Sequence, residues 1–122
     1  MLDTTPDFPS RWPDTWHLNP SSPTSAVMNV SSAWSQGVTG AGVTVVHVDS
    51  GLDHVHPDLI TAYDASVSAD LLDGDRDPFP VNDDDDEDHG TSMAGLAVAR
   101  GNNSRCSVGV AYNARSVFFW VL

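Results

Sequence analysis

The sequence has 122 residues, 40% of them hydrophobic, which supplies the core of one small domain and argues against a disordered chain. Five Arg, no Lys and 17 Asp plus Glu give a formal net charge of -12, which argues against nucleic acid as a partner and favours cations or basic peptides. No stretch approaches the roughly 18 apolar residues of a membrane span, and the first ten residues lack the charged-then-apolar pattern of a secretion signal.

Residues 1–28 hold five of the eight prolines among scattered Ser, Thr and Trp, and read as an extended surface segment set apart from residues 29–122. The spacing predicts a short helix over 29–36, with Val30, Ala33 and Trp34 on one face and Gly37 as its stop. Gly37, Gly40 and Gly42 then make a tight connection. Residues 43–48 are an almost unbroken β-branched run, expected to form a strand buried on both faces, which favours a parallel α/β sheet. Ten of the 17 acidic residues fall between Asp70 and Asp88, opposed only by Arg76, and read either as a solvated loop or as a cation site. Residues 90–100, rich in Ala with Met93, Leu96 and Val98 and followed by Gly101, predict a buried helix. Residues 108–112 and 117–122 predict further strands. The closing apolar run has no turn residue after it, so the sequence reads as a fragment. The lone cysteine, Cys106, is a buried thiol or has its partner outside these residues.

Two of these elements carry reactive side chains. Asp49 follows the first strand directly and precedes Ser50-Gly51, at the carboxyl end of a strand, where open α/β sheets place their sites. Alone it reads as a turn aspartate. His89 opens the segment His-Gly-Thr-Ser-Met-Ala-Gly, on the first turn of the Ala-rich helix, where Ala94 and Gly95 allow close packing. A histidine that acts as general base towards a serine needs a carboxylate to fix its tautomer and stabilise the imidazolium, and Asp49 and His89 suit those roles. The order Asp then His, with the serine last, is one of the three known for such triads.

The motifs Val-Asp-Ser-Gly at 48–51, His-Pro-Asp-Leu at 56–59, His-Gly-Thr at 89–91 and Val-Gly-Val-Ala-Tyr-Asn-Ala at 108–114 resemble those of subtilisin-like serine proteases, in order and spacing. Trp34 with Gly37, Gly40 and Gly42, Tyr63-Asp64, Asp75-Arg-Asp-Pro78 and Asn102-Asn103 are similar more specifically to the kexin/furin proprotein convertases, and the match runs from about Trp16 to Leu122. The resemblance implies a three-layer α/β subtilisin-like fold with a mostly parallel sheet, incomplete in this chain. It implies a serine endopeptidase in which Asp49 and His89 are catalytic, with the oxyanion asparagine and nucleophilic serine lying beyond residue 122. The segment Gly-Thr-Ser-Met-Ala at 90–94 spells the consensus around the subtilisin nucleophile, but lacks the Ala-x-Pro ending and directly follows His89. Ser92 is therefore not the nucleophile.

The resemblance also implies calcium. Asp70, Asp75 and Asp77 align with calcium-binding positions, and hard carboxylate oxygens suit that ion. A second site is implied at Asp58 and Asn103, completed by backbone carbonyls near Arg100, Arg105 and Ser107. The two long arginine side chains there, and the lack of a clear N-terminal aspartate ligand, depart from the family pattern. An EF-hand reading of Asp73, Asp75, Asp77 and Asp84 fails because Pro78 stands where the loop needs Gly. A zinc site from His54, His56 and His89 would take His89 away from Asp49. Convertases cut after paired basic residues using acidic subsites. Asp86 matches one of these, within the negative rim 83–88, whereas Ser50 stands where another acid is usual. The implied partners are peptides or proteins with basic residues before the cut bond, in the secretory pathway, at the Golgi membrane or outside the cell. The resemblance pairs Cys106 in a disulfide with a cysteine further along the domain. The competing reading is a catalytically inactive calcium-binding or interaction fragment. In either case the strand at 118–122 is expected to lie uncovered.

Overall fold

The computed structural model describes residues 15–18, 27–80, 88–105 and 107–121. Five elements occur among them: α1 (Val30–Trp34), β1 (Thr44–Asp49), β2 (Ala69–Asp70), α2 (Asp88–Val98) and β3 (Arg115–Trp120). The three strands form one sheet in the order β1-β3-β2. Both pairings are parallel, with Thr44 opposite Arg115, Asp49 opposite Trp120, and Asp70 also opposite Trp120. Parallel neighbours need a long crossover, and the chain between β1 and β3 supplies one that includes α2. The fold is thus α/β, with a parallel sheet and helical cover.

The core lies between α2 and the sheet. Ala94 and Val98 of α2 pack with Leu52, Leu59, Ala62, Ala114, Phe118 and Trp120. A second cluster joins Leu18, Val30, Trp34, Val108 and Tyr112. There the Trp34 indole N–H donates to the Val110 carbonyl at 2.9 Å and the ring meets Tyr112 edge-on, which satisfies its polar group while burying its apolar body.

Helix α1 is shorter than the predicted 29–36 because Asn29 has left-handed backbone (φ 52) and stands outside it. Its end matches expectation: Gly37 (φ 79) donates to the Trp34 carbonyl at 2.8 Å and Val38 to Ala33 at 3.0 Å, the paired bonds of a Schellman stop. Helix α2 starts and ends two residues before the predicted 90–100. Residues 108–112, predicted as a strand, form a turn instead. The N–H groups of Gly109, Val110 and Ala111 bond the carbonyls of Ala99, Leu96 and Ala97, so they cap the open end of α2 rather than a sheet neighbour.

Two expectations about burial are reversed. Strand β1 was expected to be buried on both faces, yet Val46 and Val48 are 55% and 60% exposed while His47 between them is buried. The run expected to lie uncovered holds the central strand β3, where Phe118 and Trp120 are 0% and 5% exposed. Strand β3 has a strand on each edge, whereas among the described residues β1 is paired on one edge and only the face that carries His47 is covered. The short strand β2 had no sequence signal, since two residues carry no period.

Candidate active site

The end of β1 and the start of α2 meet because Gly90 has no side chain. A Cβ there would run into the carbonyl oxygen of Gly51 and come within 2.6 Å of the Phe118 ring and 2.8 Å of the Ser50 carbonyl. The approach is pinned from the other side by Thr91, whose hydroxyl oxygen accepts the Asp53 N–H at 2.9 Å. The neighbouring Leu52 N–H donates to the Pro78 carbonyl at 2.7 Å, which ties the loop after β1 to the segment ahead of the acidic run.

This packing brings Asp49 and His89 together. His89 Nδ1 lies 2.8 Å from Asp49 Oδ1, with the imidazole 63% and the carboxylate 18% exposed. An ionised carboxylate only accepts, so Nδ1 carries the hydrogen and Nε2 is left as the free basic nitrogen. Asp49 Oδ1 also accepts the Ser50 backbone N–H at 2.7 Å and the Ser50 hydroxyl at 3.4 Å. Burial pushes the Asp49 carboxyl up, but the hydrogen bond and positive charge of His89, with the two bonds from Ser50, outweigh it and hold the group below the usual carboxylate value. The carboxylate therefore stays ionised at neutral pH and locks one imidazole tautomer. The arrangement can take a proton at Nε2 from a hydroxyl delivered against it, and stabilise the resulting imidazolium.

The remaining predicted site residues fall elsewhere. Asp86 lies outside the described residues, as does Cys106. Asp70 is buried, and its Oδ1 accepts the N–H groups of Leu72 and Asp73 at 2.7 and 3.1 Å. Asp70 and Asp75 exchange backbone hydrogen bonds, which makes them neighbours across a bridge. Asp75 Oδ1 accepts the Asp77 N–H at 2.8 Å, and Asp77 Oδ1 lies 2.8 Å from His54 Nε2. Asp58 is buried, and Asn103 Nδ2 donates to its Oδ1 at 2.7 Å. Among the described residues no group of three or more His, Cys, Asp or Glu side chains converges as a metal site. His54, His56 and His89 each have a different partner: Asp77, the Asp58 N–H and Asp49. Ser92 stands exposed on α2, beside a cleft that it shares with His56 and Asp58.

Sequence reasoning missed three residues at this site. Ser50 fixes the Asp49 carboxylate, Thr91 joins helix to loop, and His47 is buried two positions before Asp49 with its Nε2 lacking a hydrogen-bond partner among the described residues. Ser50 and Thr91 stand inside the Val-Asp-Ser-Gly and His-Gly-Thr motifs, which marked their positions but not these contacts, and the signal for His47 was a polar residue inside an otherwise β-branched run.

The subtilase family model matches residues 40–119. Proprotein convertase subtilisin/kexin type 5 of Homo sapiens is 41% identical over 109 residues, covering 86% of this chain and 6% of that protein. Furin of Rattus norvegicus is 45% identical over 113 residues, covering 92% of this chain and 14% of that protein. Furin-like protease 1 of Drosophila melanogaster is 44% identical over 115 residues, covering 93% of this chain and 10% of isoform 1-CRR. The chain thus spans a small part of the length of these relatives. Among solved structures, a protease from Pseudoalteromonas arctica superposes with a TM-score of 0.81 at 30% identity, over 97% of this chain and 39% of that one. The serine protease of Aeromonas sobria gives a TM-score of 0.64 at 36% identity, over 71% and 14% respectively.

Proposed function

This chain belongs to the subtilase family, and from that premise we propose that it supplies the aspartate and histidine of a serine endopeptidase's Asp/His/Ser triad. The observation that carries the reading is the 2.8 Å contact between His89 Nδ1 and Asp49 Oδ1. Asp49 orients the ring and stabilises its protonated form; His89 Nε2 takes the proton from a serine contributed from outside these 122 residues, and returns it to the leaving amine. By themselves the 122 residues are catalytically inert, since a triad without its nucleophile loses orders of magnitude in rate.

The substrates are peptides or proteins with basic residues before the cut bond. The similarity to convertases and the run of acids at 83–88 in the sequence, where Asp86 matches the position of a substrate-facing acid in that family, support this preference by charge complementarity. The setting is the secretory pathway or the cell exterior, as for the similar proteases.

Calcium is the structural cofactor of this reading. The donor chemistry fits: Asp58 is a buried carboxylate whose hydrogen-bond donor among the described residues is the neutral Asn103 amide, an arrangement that a cation would balance. Asp58 and Asn103 would hold one ion; Asp70, Asp75 and Asp77 would hold another only after their carboxylates turn towards one another, since they do not converge among the described residues.

The test is the full-length protein incubated with an organophosphonate that labels activated serines, and assayed on fluorogenic peptides ending in paired basic or in apolar residues. Labelling that disappears in His89→Ala, with faster cleavage after basic pairs, is expected. A wild-type protein that neither labels nor cleaves would leave the inactive calcium-binding reading in place.

A further inference from the structure

A cavity of about 640 Å³ opens at the N-terminal ends of β1 and β3, lined by Thr44, Asp64, Arg100, Asn113 and Arg115 among others. Thr44 and Asp49 stand at opposite ends of the six-residue β1. At about 3.3 Å per residue the cavity is roughly 17 Å from the His89 site, and it plays no part in the peptidase chemistry.

Arg100 is the unusual group here. Its Nε donates to the Thr61 hydroxyl at 3.2 Å, Nη1 to the Tyr112 carbonyl at 2.8 Å and Nη2 to the Thr61 carbonyl at 2.8 Å. All three acceptors are neutral, and no ion pair to Arg100 occurs among the described residues. The guanidinium has five N–H groups, so two remain, and they are held in a fixed plane before any ligand arrives.

The one carboxylate on the cavity among the described residues is already used. Asp64 Oδ2 accepts from Arg115 Nη1 at 3.1 Å, and Oδ1 accepts the Ser66 N–H and hydroxyl at 3.0 and 2.6 Å. Asp64 cancels Arg115, and Arg100 remains as the excess positive charge. Two of the five basic residues of a chain with a net charge of -12 therefore face one polar cavity.

We propose that this cavity is an anion site that binds the sulfate, phosphate or carboxylate group of a small molecule on the open edge of Arg100, with Arg115 as the second contact. A preset planar donor edge facing an oxyanion forms charge-assisted hydrogen bonds without first ordering a long side chain. The cavity is several times larger than one such group, so it takes the group together with the molecule that carries it.

The experiment is isothermal titration of the full-length protein with sodium sulfate and, separately, sodium acetate, each against sodium chloride at equal ionic strength. Sulfate binding alone assigns a tetrahedral oxyanion, acetate binding alone a planar carboxylate, and no heat beyond that of chloride overturns the proposal. Arg100→Gln weakens the bound anion by about tenfold, the scale of one charge-assisted hydrogen bond. Thr44→Asp places a carboxylate on the cavity wall without touching the Arg100 partners, and abolishes binding. If Arg100→Gln fails to fold, Thr44→Asp decides alone: unchanged affinity in either folded variant overturns the site.

Discussion

His89 Nδ1 meets Asp49 Oδ1 at 2.8 Å although 40 positions separate the two residues. Asn at position 49 keeps the shape but offers a neutral group that either donates or accepts, so the tautomer is no longer fixed. Asp49→Asn in the full-length protein is expected to lower kcat by about 10⁴-fold, the order seen when an orienting carboxylate is replaced in a Ser-His-Asp triad. Steady-state kinetics beside circular dichroism checks this. A loss under tenfold with the fold intact would show that Asp49 does not orient the base.

The contact depends on a residue with no side chain. Gly90→Ala inserts a methyl group against the Gly51 carbonyl and the Phe118 ring, both of which are fixed by the sheet and its loop. The strain either opens the α2 packing or displaces His89 from Asp49. A destabilisation of about 1–3 kcal/mol is expected, read by denaturant melting, together with a fall in kcat larger than that in 1/KM. Gly95→Ala, whose Cβ would meet nothing within 4 Å, serves as the control: it leaves kcat unchanged and raises stability by up to about 1 kcal/mol, the gain of alanine over glycine inside a helix.

Much of this arrangement was legible because local signals agreed with the fold. The β-branched run gave β1, Gly37 gave the end of α1, and the Ala-rich segment gave α2 to within two residues. Burial was misread where it depended on strand order, a non-local property: nothing in the sequence says that β3 pairs on both edges while β1 does not. The turn at 108–112 was hidden for the same reason, since its apolar residues look like a strand until the carbonyls at the end of α2 are seen to need donors. The meeting of Asp49 with His89 was expected from motif and order, and the two side chains lie 2.8 Å apart. The closeness of Asp70, Asp75 and Asp77 in sequence did not translate into converging carboxylates, because each spends an oxygen on a nearby backbone N–H.

That difference separates the two proposed calcium sites. In the full-length protein, removal of calcium by a chelator is expected to lower Tm, by about 2–4 °C for each kcal/mol of binding energy lost in a domain of 150–250 residues. Asp58→Ala should shrink the gap between calcium-loaded and chelated Tm if the Asp58–Asn103 pair holds an ion, and Asp77→Ala should do so for the second site. A variant that keeps the full gap removes its residue from the ligand set.

His47 adds a pH dependence of stability that is separate from the Asp49–His89 contact. Its ring is stacked on Phe118, with centroids 5.8 Å apart and planes at 15°, and its Nε2 is buried without a hydrogen-bond partner among the described residues. Burial lowers its pKa below 6.5, against a weaker opposing pull from Asp49. Between that lowered value and the unfolded value near 6.5 the unfolded chain binds more protons than the folded one. Stability therefore rises with pH across this window: the contribution is present above the unfolded pKa and is lost as pH falls through the folded one. The slope from this residue is at most about 1.4 kcal/mol per pH unit. His47→Leu, which fills the site without a titrating group, is expected to flatten the acid side of the stability profile. Urea melts of both proteins between pH 5 and about 7.5 check the prediction, the range being set by the ordinary histidine pKa. An unchanged slope in the variant would mean that the acid sensitivity comes from carboxylates such as Asp49, whose depressed pKa makes its own stabilisation fade only at lower pH.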